Sequence, residues 1–301
     1  MERPGVSFGV PSEKAAAHVP HPDVYGGTGE RVNGAAPAPS GSRDMSAPRP
    51  TDPERILPRL DLGTHLDDPS LKQRFVTTMF EVIAPRYDRF TRVFSFGMDR
   101  GWKRSLVREI PPTHAGLRIV DLACGTGDFA FMAAQASAAA RVIGFDVARR
   151  MIRRAAAARP ADGAAQVRFA VADMTRLPVP DGSADVVTVG YGVRNAPTPG
   201  AAIDEIRRIL RPGGTLLVLD FYRPPNPVWR RLFLWYLRAA GSAVGWAWHR
   251  IPVAYGYIAP SVERHLTGAE FSRALEDAGF QVMRERRRLF GGICLHTARR
   301  L

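Results

Sequence analysis

From Arg118 to Asp220 the chain alternates short apolar runs with helical stretches, and few folds accept that order. Arg118–Leu122, Arg141–Phe145, Val167–Val171, Ala184–Gly190 and Thr215–Asp220 read as strands; Phe129–Ala139, Ala148–Ala158 and Ala201–Leu210 read as helices between them. A helix between two strands returns the chain to the same end of the sheet, so the strands pair in parallel under a cover on both faces. The expected class is therefore α/β, doubly wound. Gly268–Ala278 adds a helix, and Phe280–Arg288 with Gly292–Thr297, joined through Phe290-Gly291, predicts a terminal antiparallel hairpin.

The chain before the first strand divides in two. Residues 1–65 are rich in Gly, Pro, Ala and Ser without periodicity, which predicts a disordered tail, with Met45 as an alternative start. Over 70–110, Phe75, Met79, Phe80, Ile83 and Tyr87 recur at helical spacing until Pro85 interrupts, giving a helical cap. The remainder of a domain over 66–301 would be a core of 115–225 with 265–301, and an insertion of 226–264. Two cysteines, Cys124 and Cys294, give neither a disulfide framework nor metal spacing, so no metal is expected. No run of about 18 apolar residues spans a bilayer. The formal charge of +13 fits either an arginine-rich composition or anionic surroundings.

Asp121-Leu-Ala-Cys-Gly-Thr-Gly-Asp128 marks a strand end, a tight turn and a helix start. Gly125 and Gly127 let a ligand approach the backbone, and such ligands sit at the carboxyl ends of the strands. The turn also fits the dinucleotide pattern G-x-G-x-x-A, so a nicotinamide cofactor is an alternative. Three acids weigh against it. Asp121, before the turn, suits an ammonium; Asp146, about 20 residues past the glycines, suits ribose hydroxyls; Asp173, after the third strand, suits an adenine amino group. Together they fit S-adenosylmethionine, a cationic sulfonium with a nucleoside, whereas an anionic pyrophosphate would be repelled. The plain alternative for each acid is a solvated loop carboxylate or a helix cap.

With those motifs in view, the sequence from about Phe75 onward resembles the ubiquinone/menaquinone biosynthesis C-methyltransferase family. The resemblance is carried by Tyr87-Asp88, Ser95-Phe96-Gly97, Trp102-Lys103-Arg104, the glycine turn, Gly192-Val193-Arg194-Asn195, Arg208-Ile-Leu-Arg-Pro-Gly-Gly214, Leu219-Asp220-Phe221, Tyr255-Gly-Tyr257-Ile-Ala-Pro-Ser261 and Asp277-Ala-Gly-Phe280. It implies a Rossmann-like class I methyltransferase fold, with a seven-stranded, mostly parallel sheet. Implied donor contacts are Thr126, Asp146, Asp173, Met174 and Gly190, beside Gly125 and Gly127, with the N-terminal helices and the segment after Asp220 covering the substrate. The chain departs from the family at Phe90, Thr91, Asp99, Asp220 and Tyr222, most of them in the expected substrate half.

Carbon methylation needs a ring made nucleophilic by loss of a phenolic proton, and alignment with the methyl. Arg194 and Asn195 are the candidates to hold a phenolate or a water. Arginine stays protonated and is no free base. A structural ion pair is the alternative role for Arg194. Tyr87 and Asp88 are expected to close the pocket from the cap. Trp229, Phe233, Leu234, Trp235, Leu237, Trp246 and Trp248 interleave with Arg230, Arg231, Arg238 and Arg250, which suits a membrane interface, or else an amphipathic lid. The run Arg284–Arg288 reads as the solvated face of a strand or as part of a basic patch. The expected partners are a lipid-tailed quinone precursor and an anionic membrane surface. Nucleic acid is not expected, since no RNA-binding module accompanies the arginines; homo-oligomerisation stays open. The expected location is cytoplasmic and peripheral on the inner face of the cell membrane. Tailoring of an aromatic natural product is the competing activity, motivated by the departures.

Overall fold

The computed structural model describes residues 53–57, 60, 62–111, 116–136, 140–159, 167–249 and 256–301. The helices before the sheet are α1 (Pro53–Ile56), α2 (Leu62–Asp67), α3 (Pro69–Ile83), α4 (Tyr87–Phe94) and α5 (Met98–Val107). Then follow β1 (Arg118–Leu122), α6 (Asp128–Ala136), β2 (Arg141–Asp146), α7 (Arg149–Ala157), β3 (Val167–Val171), β4 (Ala184–Gly190), α8 (Pro199–Ile209) and β5 (Leu210–Phe221). The chain ends with α9 (Pro227–His249), α10 (Ile258–Arg264), α11 (Gly268–Asp277), β6 (Phe280–Arg288) and β7 (Ile293–Arg300).

The seven strands form one sheet in the order β3-β2-β1-β4-β5-β7-β6. β3, β2, β1, β4 and β5 pair in parallel, and β7 runs antiparallel to both β5 and β6. Strand order reverses between β1 and β4, so the crevice beyond their carboxyl ends is the place for a ligand. Those ends are the glycine turn on one side and Gly190 with Tyr191 on the other.

Two expectations need correction. The expected tail over 1–52 lies outside the described residues, but within its remainder residues 53–56 are helical, and the helix Leu62–Asp67 begins before its expected end at 65. Leu57 is fully buried, and Leu60 and Leu66 pack on the same cluster as Phe75. Stretches of four and six residues are too short for periodicity to show, so tertiary burial decides their structure. The fifth strand starts at Leu210 rather than Thr215. Leu210 pairs with Ala184 and Thr215 with Val186, so Arg211–Gly214 loop out as a bulge. At Gly214 a Cβ would stand 2.8 Å from both the Arg211 carbonyl oxygen and a Leu210 methyl. The Pro-Gly-Gly sequence is therefore a bulge inside the strand.

Capping fixes the helix that carries the roof. Asp68 accepts from the Ser70 and Leu71 amides at the start of α3, and Pro69 takes the first position. Val76, Met79 and Ile83, three or four apart, then face Phe233, Leu237, Tyr257 and Ile258 from the insertion. The cap and the insertion thus share a core of their own beside the sheet. The arginine run on β6 is paired: Arg284 and Arg286 bond Glu109, and Arg287 bonds Glu285. β6 is an edge strand, and charge along it discourages pairing with another chain.

Candidate active site

Two residues at the switch point hold left-handed backbone without being glycine: Ala123 after β1 (φ 48°) and Tyr191 after β4 (φ 61°). Such conformations cost about 1–3 kcal/mol each and persist only where surrounding structure enforces them. Gly127 (φ 89°) has no room for a side chain, because a Cβ there would lie 2.7 Å from the Phe169 ring. The turn is thereby held close against Phe169 of β3, and its Cys124 and Gly125 amides donate to the Phe145 carbonyl and to Asp146 at the end of β2.

The carboxylates expected for a donor meet here, in unequal states. Asp121 is fully buried; Thr188 donates to its Oδ1 at 2.6 Å, while Oδ2 has no partner. Burial pushes its carboxyl up to about 7, opposed by the Thr188 hydroxyl and by Lys103. A buried carboxylate oxygen left unpaired is the complement of an ammonium. Asp146 already accepts from the Gly125 amide at 2.9 Å and the Ala148 amide at 2.8 Å. Burial nonetheless pushes it up to about 6. It therefore plays the capping role that the plain alternative foresaw, while still lining the crevice with spare lone pairs for a ribose. Asp173 accepts from the Thr175 amide and hydroxyl, both at 2.8 Å, and from Gln73 Nε2 at 3.2 Å. Met174 and Gly190 stand beside it in the same crevice.

The cap closes over this crevice. Asp88 accepts from the Thr126 hydroxyl at 2.5 Å, and Tyr87 Cε1 lies 3.6 Å from where a Gly125 Cβ would stand. Between them the crevice keeps one cavity of about 40 Å³ at Asp146, Asp173 and Asn195 and another of about 30 Å³ at Lys103, Asp121 and Thr126. Such volumes hold roughly two or three waters each. A nucleoside enters only when the cap contacts at Thr126 and Asp173 part.

On the other side of Tyr87 and Tyr191 lies a chamber of about 390 Å³, walled by rings including Phe90, Phe94, Phe221, Trp229 and Tyr236. Among its described lining residues Arg194 carries the sole charge. Its Nη1 donates to Asp220 Oδ1 at 2.8 Å and to the Tyr191 carbonyl at 2.9 Å, and its Nε is buried without a partner. The guanidinium lies 5.0 Å from the centre of the Phe221 ring. The ion pair weighed as the alternative for Arg194 is therefore real, and it fixes the group at the chamber wall. Asn195 donates to the Tyr191 carbonyl at 2.9 Å and accepts from Tyr257 Oη at 3.1 Å, so it buttresses the wall from the crevice side.

Sequence reasoning missed Tyr191, which with Tyr87 is shared by all three cavities. Burial raises the pKa of both phenols, so they remain O–H groups and walls, not bases. The signal was its place, one residue past the fourth strand. Missed too was Lys103, buried and bonded at 2.9 Å to Asp99 one helical turn earlier. Of the departures, Phe90 and Thr91 line the chamber and Asp99 holds Lys103; Tyr222 instead turns into the sheet's core, 3.3 Å from His296 Nδ1. The aromatic segment splits. Phe233, Leu234 and Leu237 are buried as lid residues, whereas Trp235 and Leu232 are exposed. The side chains of Trp246, Trp248, Arg250 and Tyr255 lie outside the described residues.

Comparison with known proteins gives this geometry a family. Residues 69–300 match the ubiE/COQ5 methyltransferase family. The chain is 38% identical over 216 residues to the ubiquinone/menaquinone biosynthesis C-methyltransferase UbiE of Syntrophotalea carbinolica, covering 71% of this chain and 89% of that protein. It is 38% identical over 223 residues to the demethylmenaquinone methyltransferase of Thermus thermophilus, covering 74% of this chain and 100% of the relative. Among solved structures, a SAM-dependent methyltransferase from Thermotoga maritima superposes with a TM-score of 0.53 at 18% identity, covering 74% of this chain and 99% of that one, a likeness of fold.

Proposed function

Because the chain belongs to the ubiE/COQ5 methyltransferase family and so takes its methyl from S-adenosylmethionine, we propose that it methylates a ring carbon of a lipid-tailed quinone precursor. The observation that carries this is the aromatic chamber of about 390 Å³, divided from the donor crevice by Phe80, Tyr87 and Tyr191, which line both. Its size and apolar wall suit a flat ring with the start of a hydrocarbon tail. The named relatives act in ubiquinone/menaquinone biosynthesis or on demethylmenaquinone, and they do not favour tailoring of an aromatic natural product.

The residues fit the donor. Asp121 Oδ2 would take its ammonium, Asp146 its ribose, and Asp173 its adenine amino group once Gln73 withdraws. When bound, the donor supplies an electrophilic methyl on a cationic sulfur. The chain supplies alignment and a dry site. It also supplies charge. Among the described lining residues no carboxylate or histidine reaches the chamber, so a base for the phenol is not a side chain there. Arg194, held by Asp220, instead lowers the cost of a phenolate oxygen next to it, and water carries the proton away.

The mouth of the chamber supports peripheral association with a membrane. Phe96 is 74% exposed, Trp235 68% and Leu232 55%, and all three line the chamber; Phe290 is 78% exposed beside Leu289, which also lines it. Arg231, next to Leu232 on α9, is exposed as well. Rings at headgroup depth with cations nearby would let a tail pass from bilayer to chamber. Among the described residues no helix is long and apolar enough to cross a membrane.

The test is to incubate purified chain and donor with demethylated isoprenoid quinols and with tail-less phenols of the same head group. Mass spectrometry should show one added methyl on the tailed ring, on carbon, with far lower turnover without the tail. Efficient O-methylation, or equal turnover without a tail, would overturn the assignment. Sedimentation with anionic vesicles at low salt checks the membrane contact; no binding ends it.

A further inference from the structure

We propose that Lys103 binds the carboxylate of the donor's methionine portion, so that Lys103 and Asp121 together read a zwitterion from the walls of one cavity. The proposal rests on the reading of that cavity as the donor's.

The cavity of about 30 Å³ is lined by both side chains, with Thr126, Gly125 and Tyr87 beside them. One is a fully buried carboxylate with an unpartnered oxygen, the other an ammonium on a residue only 7% exposed. Buried charges are costly, and a site that keeps one of each sign beside a small void is complementary to a ligand that carries both. In an amino acid the ammonium and the carboxylate hang from the same carbon. They must therefore be met within a single small space, as the placement of Asp121 and Lys103 allows.

Lys103 also has hydrogen-bonding capacity to spare. Its ammonium carries three protons. Asp99, one turn earlier on α5, takes one at 2.9 Å, and the contact to Asp128 is long at 3.5 Å, with the Asp128 side chain 65% exposed. Asp128 can thus exchange to water while Asp99 keeps the ammonium charged and in place. Its Nζ also stands over the Tyr191 ring, 5.9 Å from the centre. An ion pair serving α5 alone would lose nothing at the surface, where its desolvation is avoided.

The experiment compares two ligands by calorimetry on the full chain: S-adenosylhomocysteine, and its decarboxylated analogue with the same thioether, amine and adenosine. The native chain should prefer the carboxylate-bearing ligand by about 10- to 100-fold, the range expected for one hydrogen bond to a charged group. Lys103→Met should collapse that preference to within about threefold, with affinity for the decarboxylated analogue held, and Lys103→Arg should retain most of it. Should Lys103→Met fail to fold because Asp99 is stranded, Lys103→Met with Asp99→Asn carries the same comparison. A preference that survives the loss of Lys103, or an equal loss for both ligands, overturns the proposal while leaving the donor crevice standing. Failure of the native chain to bind either ligand overturns both.

Discussion

Replacing Asp121 by asparagine should make the empty protein more stable at pH 8 while weakening its hold on the donor. Burial raises this carboxyl from its ordinary 3.8 to about 7, with the Thr188 hydroxyl and Lys103 only partly opposing it. At 1.36 kcal/mol per pH unit, ionising Asp121 in the folded chain costs on the order of 4 kcal/mol relative to the unfolded chain. The sign follows from proton counts. Between about 4 and 7 the folded chain holds a proton that the unfolded chain has released, so this group's contribution to stability falls as pH rises through that window and is lowest above 7. Asparagine removes the ionisation but places an amide where Oδ2 has no partner, at a cost of about 1–3 kcal/mol. A net gain of about 1–3 kcal/mol remains, or about 2–12 °C in melting temperature for a domain of this size. Melting curves of both proteins at pH 5 and pH 8 check it: the gain should be large at pH 8 and shrink or vanish at pH 5. Donor affinity of the native chain should rise with pH up to about 7, as the carboxylate forms, and Asp121→Asn should be weaker and flat across that range. A variant less stable at pH 8, with unchanged donor affinity, would refute the reasoning.

Arg194→Ala should cut turnover severely while donor affinity stays near native; because it strands buried Asp220, denaturant unfolding should also show a loss of about 3–5 kcal/mol. Equal losses of turnover and donor affinity in stopped-flow and calorimetric measurements would remove its catalytic role. Gln73→Ala frees Asp173 from the cap, and donor association followed by tryptophan fluorescence should accelerate by about 2- to 10-fold, the value of one hydrogen bond; an unchanged rate would mean that this contact does not gate entry. Phe290→Gly relieves a left-handed backbone (φ 50°) and should raise stability by about 1 kcal/mol, yet lower binding to anionic vesicles, because it removes a ring 78% exposed at the chamber mouth. Unaltered vesicle binding would take Phe290 out of the membrane contact.

What was legible in the sequence is what local pattern dictates. Val120, Leu122 and the glycines that follow them announce a strand and a ligand turn whatever lies elsewhere in the chain, and the β6–β7 hairpin is spelled out by its own residues. The three donor acids could be placed because each lies at or just past the carboxyl end of a strand, and parallel strands bring those ends to one rim. Partnerships set by register were not legible. Arg194 meets Asp220 because β4 and β5 pair with Gly190 opposite Leu219, a relation between positions 26 residues apart. Lys103 becomes part of the crevice only when α5 packs against α6 and β5, since its spacing from Asp99 fits any solvated helix face equally well. Tyr191 escaped notice because a ring after a strand reads as core until the backbone turns left-handed beneath it. The helices at 53–67 draw their stability from Phe75 and its neighbours, not from their own residues.

The roof over the crevice coheres mainly with itself. Phe75, Met79, Phe90, Phe94, Phe233, Leu237 and Ile258 bury one another, and among the described residues of the strand-flanking helices and their caps only Ala148 and Met151, at the start of α7, join them. Across the donor it is fastened by polar links, Gln73 to Asp173 and Asp88 to Thr126. Lifting it therefore trades a few hydrogen bonds for bonds to water and leaves its greasy interior intact. A hatch lifted as one piece would let spent donor leave and fresh donor enter without disturbing a tailed ring seated among the aromatics.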